Sequence, residues 1–127
     1  MADDAKRAEV TILLVDDNEQ ILRSVPRLFH RLPVRVRCAK CASEALALLQ
    51  QEQVDLLISD FNMPGLNGLA LLEQVRARWP QVRSVLNSGD GQAVTAARSQ
   101  GFAAVLKPEA NDLLLDLVAK AIEQKPS

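Results

Sequence analysis

Three aspartates follow directly after two apolar segments of this sequence. Asp16 and Asp17 follow the segment 10–15, and Asp60 follows the segment 55–59. Short apolar segments of this kind predict strands that are buried on both faces, and open α/β sheets hold their ligands beyond the carboxyl ends of such strands. If the two strands are neighbours, three carboxylates meet at one edge of the sheet. Acids that close cannot all stay ionised without a cation.

Two further polar residues, Ser88 and Lys107, stand at the ends of later apolar segments and so join the same edge of the predicted sheet. One such residue alone is more often a turn or cap residue. The three aspartates, the serine and the lysine together, however, are suited to one kind of chemistry. Carboxylates suit a hard cation such as Mg²⁺, and a lysine and a hydroxyl can hold a phosphoryl group while a nucleophile takes it. Because carboxylates serve as such nucleophiles, we predict that Asp60 becomes an aspartyl phosphate.

The segments between the strands have apolar residues at helical spacing. Strands are predicted over about 10–15, 34–38, 55–59, 82–88 and 103–106, and helices over about 19–29, 41–51, 66–79, 92–100 and 111–123. The alternation of strands and helices predicts a doubly wound α/β fold, in which a five-stranded parallel sheet is flanked by five helices. We place one domain at residues 10–123, an N-terminal tail at 1–9 and a C-terminal tail at 124–127.

The first predicted helix contains a proline. It begins after Asn18, a good cap residue, and its apolar residues continue to Phe29. Pro26 lies about two turns inside it, where a proline lacks a backbone donor and costs of order 3 kcal/mol. We therefore expect this helix to be kinked or strained at Pro26.

Cys38 and Cys41 form a Cys-x-x-Cys pair, which is compatible with redox chemistry or zinc binding. A structural zinc site needs four ligands, and His30, the only histidine, offers at most a third. We therefore interpret the two cysteines as ordinary small residues at the end of a strand and the start of the next helix.

The composition limits the classes of protein to consider. The chain has 127 residues, 48% of them hydrophobic, which suits a single domain with its own core. With 15 basic and 16 acidic residues the formal net charge is −1, which gives no reason to expect nucleic acid or a membrane surface as a direct partner. The polar N-terminus does not resemble a secretory signal, and no apolar run approaches the roughly 20 residues of a membrane span. We therefore expect a soluble, cytoplasmic protein.

Over about residues 10–123 the sequence resembles the receiver domains of two-component response regulators. The resemblance implies a CheY-like, flavodoxin-like fold with the strand order 2-1-3-4-5. It also implies a signalling protein that is no enzyme beyond phosphotransfer to its own aspartate and self-dephosphorylation. Four motifs in the family's order carry the resemblance: Leu14-Val15-Asp16-Asp17, Ser59-Asp60-Phe61-Asn62-Met63-Pro64-Gly65-Leu66-Asn67-Gly68, Ser88-Gly89 and Lys107-Pro108.

The resemblance implies how the acids divide their roles. Asp60 would accept a phosphoryl group from the phosphohistidine of a sensor histidine kinase or phosphotransfer protein, or from a small phosphodonor. Mg²⁺ would be bound directly by Asp17 and Asp60, through water by Asp16, and by the backbone carbonyl of Asn62. Asn62 and Asp90, each two residues beyond a site residue, would flank the path of the hydrolytic water, and we hypothesise that they set the lifetime of the phosphoryl group.

The resemblance also implies partners for the phosphoryl group itself. Ser88 would donate a hydrogen bond to a phosphoryl oxygen, and Lys107 would pair with the phosphate. The Lys107-Pro108 peptide would be cis, which a following proline makes less costly. Asn87, the residue before Ser88, is more polar than the apolar residue common in the family.

The fifth strand departs from the family in a second way. The family usually has a tyrosine or phenylalanine there, whose rotamer follows the hydroxyl residue. Counted from Gly101 this position is Val105, and counted back from Lys107 it is Ala104, while Phe102 fits neither count. We therefore expect the aromatic switch to be absent or relocated, which leaves the output of the domain open.

Two other functions remain open at this point. A degenerate receiver would bind partners independently of phosphorylation, although all five site residues are present. A phosphohydrolase of the haloacid dehalogenase kind also uses an aspartate nucleophile, but it needs a second acid two residues later, where Asn62 stands, and usually a cap domain. The chain is either a stand-alone receiver or a fragment of a longer regulator or hybrid kinase, and its output partner is unknown.

Overall fold

The computed structural model describes residues 9–107 and 111–125. The strands are β1 (Val10–Val15), β2 (Val34–Ala39), β3 (Leu56–Ser59), β4 (Arg83–Ser88) and β5 (Ala103–Leu106). The helices are α1 (Glu19–Ser24), α2 (Ala42–Gln51), α3 (Gly68–Arg78), α4 (Gly91–Ser99) and α5 (Asn111–Gln124), and a 3₁₀ helix (Val25–Phe29) follows α1 directly. The predicted cis peptide at Pro108 lies outside the described residues, as do residues 1–8 of the predicted N-terminal tail and residues 126–127 of the predicted C-terminal tail.

All five strands are parallel, and they lie in the order β2-β1-β3-β4-β5. This order confirms the predicted doubly wound α/β fold. Alternate residues of the strands face two separate apolar clusters, so the sheet is buried on both sides. One cluster includes residues of α2, α3 and α4, and the other includes residues of the 3₁₀ helix and α5. Among the described residues, no helix is both long enough and apolar enough to cross a membrane.

Strand β2 forms one edge of the sheet, as its alternation of apolar and basic residues predicts. Arg35 and Arg37 point to the same side and both approach Glu52, which follows α2, at 3.1 and 3.0 Å. Charged side chains on an edge strand disfavour pairing with another sheet. These arginines therefore protect the edge as well as fastening it to α2.

The structure corrects the expectation of one continuous helix over residues 19–29. The α-helix ends at Ser24, and the chain continues as the 3₁₀ helix. Pro26 lies in the first turn of this 3₁₀ helix, a position that its fixed φ suits. The proline is thus accommodated by a change of helix type, and Val25 and Phe29 bury this segment against the sheet.

Helix α3 begins two residues later than its apolar pattern predicts, because Asn67 is its N-cap. The Asn67 Oδ1 atom accepts a hydrogen bond of 2.8 Å from the N–H of Ala70. The next residue, Gly68, donates its N–H to the carbonyl of Phe61 at 2.8 Å. A Cβ atom at Gly68 would lie 1.9 Å from the backbone oxygen of Asp60. Only glycine therefore allows α3 to pack this closely on the end of β3.

The two cysteines are free thiols. The Sγ atom of Cys38 lies 3.8 Å from the carbonyl oxygen of Leu22, and that of Cys41 lies 3.2 Å from Oγ of Ser43. In the described part of the chain, neither thiol belongs to a cluster of three or more metal-binding side chains. Cys38 is exposed and Cys41 partly buried, at the end of β2 and directly before α2.

Lys125, beyond the end of α5, joins this helix to the edge of the sheet where the strands begin. Its Nζ atom donates to the carbonyl of Glu9 at 2.8 Å and to Oδ2 of Asp55 at 2.9 Å. The same Asp55 oxygen accepts the N–H of Thr11 at 2.8 Å. One carboxylate thus holds together β1, the start of β3 and the chain after α5.

The contact of Gly68 with Asp60 generates a stability prediction. Gly68→Ala should lower the free energy of unfolding by about 1–3 kcal/mol or more, because the methyl group overlaps the backbone and α3 must move away. Gly91→Ala is the matched control, since Gly91 is also the first residue of a helix and a Cβ atom there would meet no other atom within 4 Å. Urea unfolding of the two variants measures the difference, and equal stabilities would contradict the packing argument.

Candidate functional site

The carboxylates of Asp16, Asp17 and Asp60 meet at the edge of the sheet where the strands end. One ligand oxygen from each lies within 4.8 Å of the other two. The parallel ladder fixes their position, since the N–H of Asp60 donates to Val15 at 2.9 Å and that of Asp16 donates to Ala39 at 3.1 Å. The structure therefore brings together the three acids that the sequence places after β1 and β3.

The three carboxylates differ in how much of their binding capacity the protein already uses. Asp16 is 2% exposed, and its two oxygens accept hydrogen bonds from the N–H of Asn18 at 2.9 Å and from Lys107 at 3.0 Å. Asp17 is exposed, and Asp60 is 14% exposed at its side chain. Open coordination sites thus remain on Asp17 and Asp60, while Asp16 is held by the protein on both sides.

Lys107 supplies the positive charge at this site. Its Nζ atom lies 3.0 Å from Oδ2 of Asp16 and 3.5 Å from Oδ1 of Asp60. Its backbone N–H donates to the carbonyl of Ser88 at 2.9 Å, which continues the pairing of β5 with β4. The lysine therefore extends from the end of β5 to carboxylates at the ends of β3 and β1.

Ser88, the last residue of β4, is 1% exposed. Its Oγ atom accepts a hydrogen bond of 3.0 Å from the N–H of Asp90. Because this bond uses an oxygen lone pair, the hydroxyl proton stays available for an incoming acceptor. Asp90 in turn caps α4, since its Oδ1 accepts the N–H groups of Gln92 and Ala93 at 2.9 and 3.2 Å. The capped helix fixes the loop that carries the serine.

Asn62 lies in the loop between β3 and α3, and its side chain is exposed. In the described residues its backbone carbonyl accepts no hydrogen bond. The loop turns at Gly65, which has a φ of +79°, a conformation that glycine adopts without strain. The turn leaves the Asn62 carbonyl available as a neutral oxygen ligand close in sequence to Asp60.

Burial raises the pKa of Asp60 above its ordinary value. The ammonium of Lys107 opposes this shift, and the negative charge of Asp16 adds to it. One lysine therefore does not fully compensate the acids at this edge of the sheet. A cluster of carboxylate oxygens with a nearby free carbonyl fits a hard divalent cation such as Mg²⁺, which prefers oxygen ligands and retains several waters.

Strand β5 carries no aromatic residue at either candidate switch position. Ala104 and Val105 are both buried, and they pair with Leu86 and Asn87 of β4. Phe102 lies before the strand begins, at the end opposite Lys107, and packs into the core beneath the guanidinium of Arg76, which is 4.1 Å from the ring centroid. The aromatic residue nearest in sequence to the two candidate positions is thus packed at the other end of the strand.

An arginine occupies the space beside Ala104. Both Nε and Nη2 of Arg98, in the last turn of α4, donate to the Ala104 carbonyl at 3.2 and 2.9 Å. This double hydrogen bond fastens the end of α4 to β5. No clear signal in the sequence indicates it, because an arginine near a helix C-terminus is ordinarily a solvent-exposed residue that complements the helix dipole.

A further feature that sequence reasoning did not develop is the side chain of Asn87. The residue is 4% exposed, and its Oδ1 atom has no hydrogen-bond partner among the described residues. The signal in the sequence was one amide inside an otherwise apolar part of a strand. Such residues in a core normally find a partner.

A known protein family matches the part of the chain that contains this site. Residues 12–119 match the family model described as the response regulator receiver domain. The chain is 34% identical over 119 residues to the hydrogenase transcriptional regulatory protein HoxA of Cupriavidus necator, a match that covers 91% of this chain and 24% of that protein. It is 32% identical over 114 residues to the DNA-binding transcriptional regulator NtrC of Salmonella typhimurium, covering 87% of this chain and 24% of NtrC. The chain thus spans about a quarter of the length of these relatives.

Solved structures show the same fold. The signal receiver domain of an HD domain-containing protein from Pseudomonas fluorescens Pf-5 superimposes with a TM-score of 0.81 at 31% identity, covering 91% of this chain and 88% of that one. An uncharacterized protein from Neptuniibacter caesariensis superimposes with a TM-score of 0.83 at 35% identity, covering 90% and 87% of the two chains. The similarity extends over both the sheet and the helices that position the acidic site.

The raised pKa of Asp60 predicts a pH-dependent gain in stability for Asp60→Asn when divalent cations are removed with chelator. A carboxyl whose pKa is higher in the folded protein than the ordinary value of about 3.9 binds more protons folded than unfolded. As the pH rises above the ordinary carboxyl pKa, the native protein should therefore lose stability relative to the variant. The difference in their free energies of unfolding should persist to neutral pH. It should vanish below the ordinary pKa.

Denaturant unfolding at a series of pH values measures this difference. Asp116→Asn, which removes an exposed carboxylate of α5, is the control and should run nearly parallel to the native protein. A constant offset between native protein and Asp60→Asn at every pH would contradict the prediction.

Proposed function

The chain belongs to the response regulator receiver domain family of two-component signalling proteins, and on this premise we propose that Asp60 is its phosphoacceptor. Asp60 takes a phosphoryl group from the phosphohistidine of a sensor histidine kinase or a phosphotransfer protein. The observation that carries the proposal is the position of its partly exposed carboxylate between two other acids and a lysine at the edge of the sheet. A phosphodonor can reach Asp60 there.

The transfer exchanges one bond for another. A carboxylate oxygen of Asp60 forms the new bond to phosphorus as the bond from phosphorus to the histidine nitrogen of the donor breaks, and the donor imidazole keeps the electron pair and takes up a proton. The product is an acyl phosphate on Asp60. Because such transfers depend mainly on positioning and charge neutralisation, the surroundings of Asp60 matter more than acid–base chemistry.

Lys107 and Ser88 hold the transferred group. The Lys107 ammonium is already 3.5 Å from Oδ1 of Asp60, so a short movement pairs it with a phosphoryl oxygen. The Ser88 hydroxyl has a free proton and donates it to a second oxygen. The serine sits at the junction of β4 and the loop before α4, and its movement toward the phosphate passes the change to α4.

The acids and the Asn62 carbonyl are the candidate Mg²⁺ ligands. The pattern of hydrogen bonds favours direct binding by Asp17 and Asp60 and binding through water by Asp16, because the protein already contacts both Asp16 oxygens. When bound, Mg²⁺ neutralises the charge of the acids and of the phosphoryl oxygens. The protein contributes the fixed spacing of the ligands, which follows from the parallel register of β1 and β3.

The phosphorylation state of the domain controls the binding of a partner. The relatives HoxA and NtrC are transcriptional regulators about four times the length of the matched region, which supports an output domain or output protein that reads the receiver. The chain itself acts as a signalling domain and turns over no external substrate. Its direct partners are proteins, and neither nucleic acid nor a membrane is needed for the step at Asp60.

Incubation with Mg²⁺ and a small phosphodonor such as acetyl phosphate tests this function. We expect the intact mass of the native protein to rise by one phosphoryl group, and we expect no increase for Asp60→Asn. Asp55→Asn is the matched control, because Asp55 precedes the same strand and lies at its opposite end, so this variant should still be phosphorylated. An unmodified native protein would favour the degenerate receiver, and steady hydrolysis of unrelated phosphomonoesters would favour the phosphohydrolase.

The lifetime of the phosphoryl group gives a second prediction. We expect the double variant Asn62→Ala, Asp90→Asn to lose its phosphoryl group at a rate different from that of the native protein, because both residues lie two positions beyond a residue that contacts the phosphate. Asparagine at residue 90 keeps the oxygen that caps α4, so the helix is retained. Loss of phosphate followed by mass spectrometry measures the rate, and an unchanged rate would remove these residues from the mechanism.

A further inference from the structure

Asn87 presents a buried polar atom that the proposed phosphotransfer does not use. The residue is 4% exposed, yet its Oδ1 atom has no hydrogen-bond partner in the described part of the chain. A buried acceptor without a partner destabilises a fold, and such atoms are rare enough to need an explanation. The position of Asn87 next to Ser88 points to the phosphoryl site.

The sheet register places Asn87 in line with the acids. Ser59 pairs with Leu86, so the residues that follow them, Asp60 and Asn87, are neighbours across β3 and β4. Asn87 also pairs with Val105 of β5. Side chains alternate along strands, and Val105 belongs to the apolar cluster on the side of α5. By this alternation Asn87, Asp60 and Lys107, two residues beyond Val105, point to the same face of the sheet.

Lys107 must pass over the end of β4 to reach its present partners. Its backbone is paired with Ser88, while its ammonium contacts Asp60 after β3 and Asp16 after β1. The strand order puts β4 between β5 and β3. The lysine side chain therefore crosses the end of β4, close to Asn87. An ammonium has three donors, and only two of them have partners among the described residues, one at the long distance of 3.5 Å.

The lysine and a divalent cation compete for the carboxylate of Asp60. Its Oδ1 atom lies 3.5 Å from the Lys107 ammonium, and under the proposed function Asp60 also binds Mg²⁺ directly, whereas Asp16 binds it through water and keeps its contact with Lys107. Two cations at one carboxylate repel each other. Lys107, whose side chain is 25% exposed, is therefore displaced from Asp60 when the metal binds, and a partly buried ammonium that loses this partner is stabilised by another acceptor nearby.

We propose that Oδ1 of Asn87 is the acceptor that receives the Lys107 ammonium when a divalent cation occupies the carboxylates. Asn87 is then a positioning residue: it keeps the lysine on the correct face of the sheet, desolvated and ready to pair with a phosphoryl oxygen. This inference rests on the proposed function, because it requires the metal site. It accounts for an oxygen that is left unpaired while the lysine contacts the acids.

The Mg²⁺ dissociation constant, measured by calorimetry on the unphosphorylated protein, tests the proposal. Asn87→Val removes the acceptor, so Lys107 stays on the acids and Mg²⁺ should bind about tenfold more weakly, the scale set by one hydrogen bond to a charged group. Asn87→Thr has nearly the same shape as the valine variant but keeps an oxygen, and it should recover most of the affinity. Asn87→Ala repeats the test without an acceptor if the valine variant unfolds.

Two controls separate this role from a structural one. Ser84→Ala removes the other unpaired buried side-chain oxygen found among the described residues, near the start of the same strand, and should leave Mg²⁺ affinity unchanged. In a Lys107→Met background, Asn87→Val should have no further effect on Mg²⁺ affinity, because the two residues act through one hydrogen bond. Thermal unfolding without metal should show that Asn87→Val is at least as stable as the native protein.

The outcomes distinguish this inference from the function on which it rests. Three outcomes would each overturn the role of Asn87 alone. The native protein and Asn87→Val could bind Mg²⁺ equally well, Asn87→Thr could fail to restore binding, or the effect of the valine could persist in the Lys107→Met background. A native protein that binds no Mg²⁺ would overturn the proposed metal site and this inference with it. Loss of affinity that is rescued by threonine and abolished without Lys107 would establish it.

Discussion

Repulsion among carboxylates at one edge of the sheet is the constraint on which the site depends. Parallel pairing of β1 with β3 forces Asp16, Asp17 and Asp60 together, and burial makes ionisation of Asp60 still less favourable. The protein offsets this with one lysine, which serves two of the acids at once. The acids therefore outnumber the positive charges near them, and this imbalance is the physical basis of the cation site that we propose.

Most of the fold could be predicted because its signals are local. The limits of β1 and β5 follow from short apolar runs. The change from α1 to the 3₁₀ helix was harder to predict, because apolar residues continue through Phe29 at a spacing that both helix types can bury. Pro26 indicated an irregularity there, but the sequence alone did not show whether the chain would kink or change helix type.

The candidate site was predictable to the level of residue identity, since acids, a hydroxyl and a lysine at strand ends are visible in the sequence. The sequence did not show which side-chain atoms of the site have hydrogen-bond partners. That both oxygens of Asp16 are already occupied, or that Oδ1 of Asn87 is unpaired, depends on how side chains from four strands meet. The contact between Lys107 and Asp16 joins residues far apart in the chain, and no local pattern encodes it.

Two arginines make long side-chain contacts in the C-terminal half of the domain. Arg98 ties α4 to the carbonyl of Ala104, and Arg76 covers the ring of Phe102 while donating to the carbonyl of Gln100 at 2.7 Å. These contacts link α3, α4 and β5 through backbone carbonyls. Directional hydrogen bonds to backbone carbonyls therefore connect the elements that follow Ser88.

The contact between Lys125 and Asp55 has a consequence for how the domain could transmit a signal. Asp55 precedes the short strand β3 and Asp60 follows it, and at the rise of an extended chain these two residues are about 16 Å apart. Strand β3 is hydrogen-bonded on both sides, to β1 and to β4, and it connects the end held by Lys125 to the acidic cluster. We therefore expect the effect of a covalent change at Asp60 to reach the rest of the domain mainly sideways, through these neighbouring strands, and less along β3 itself.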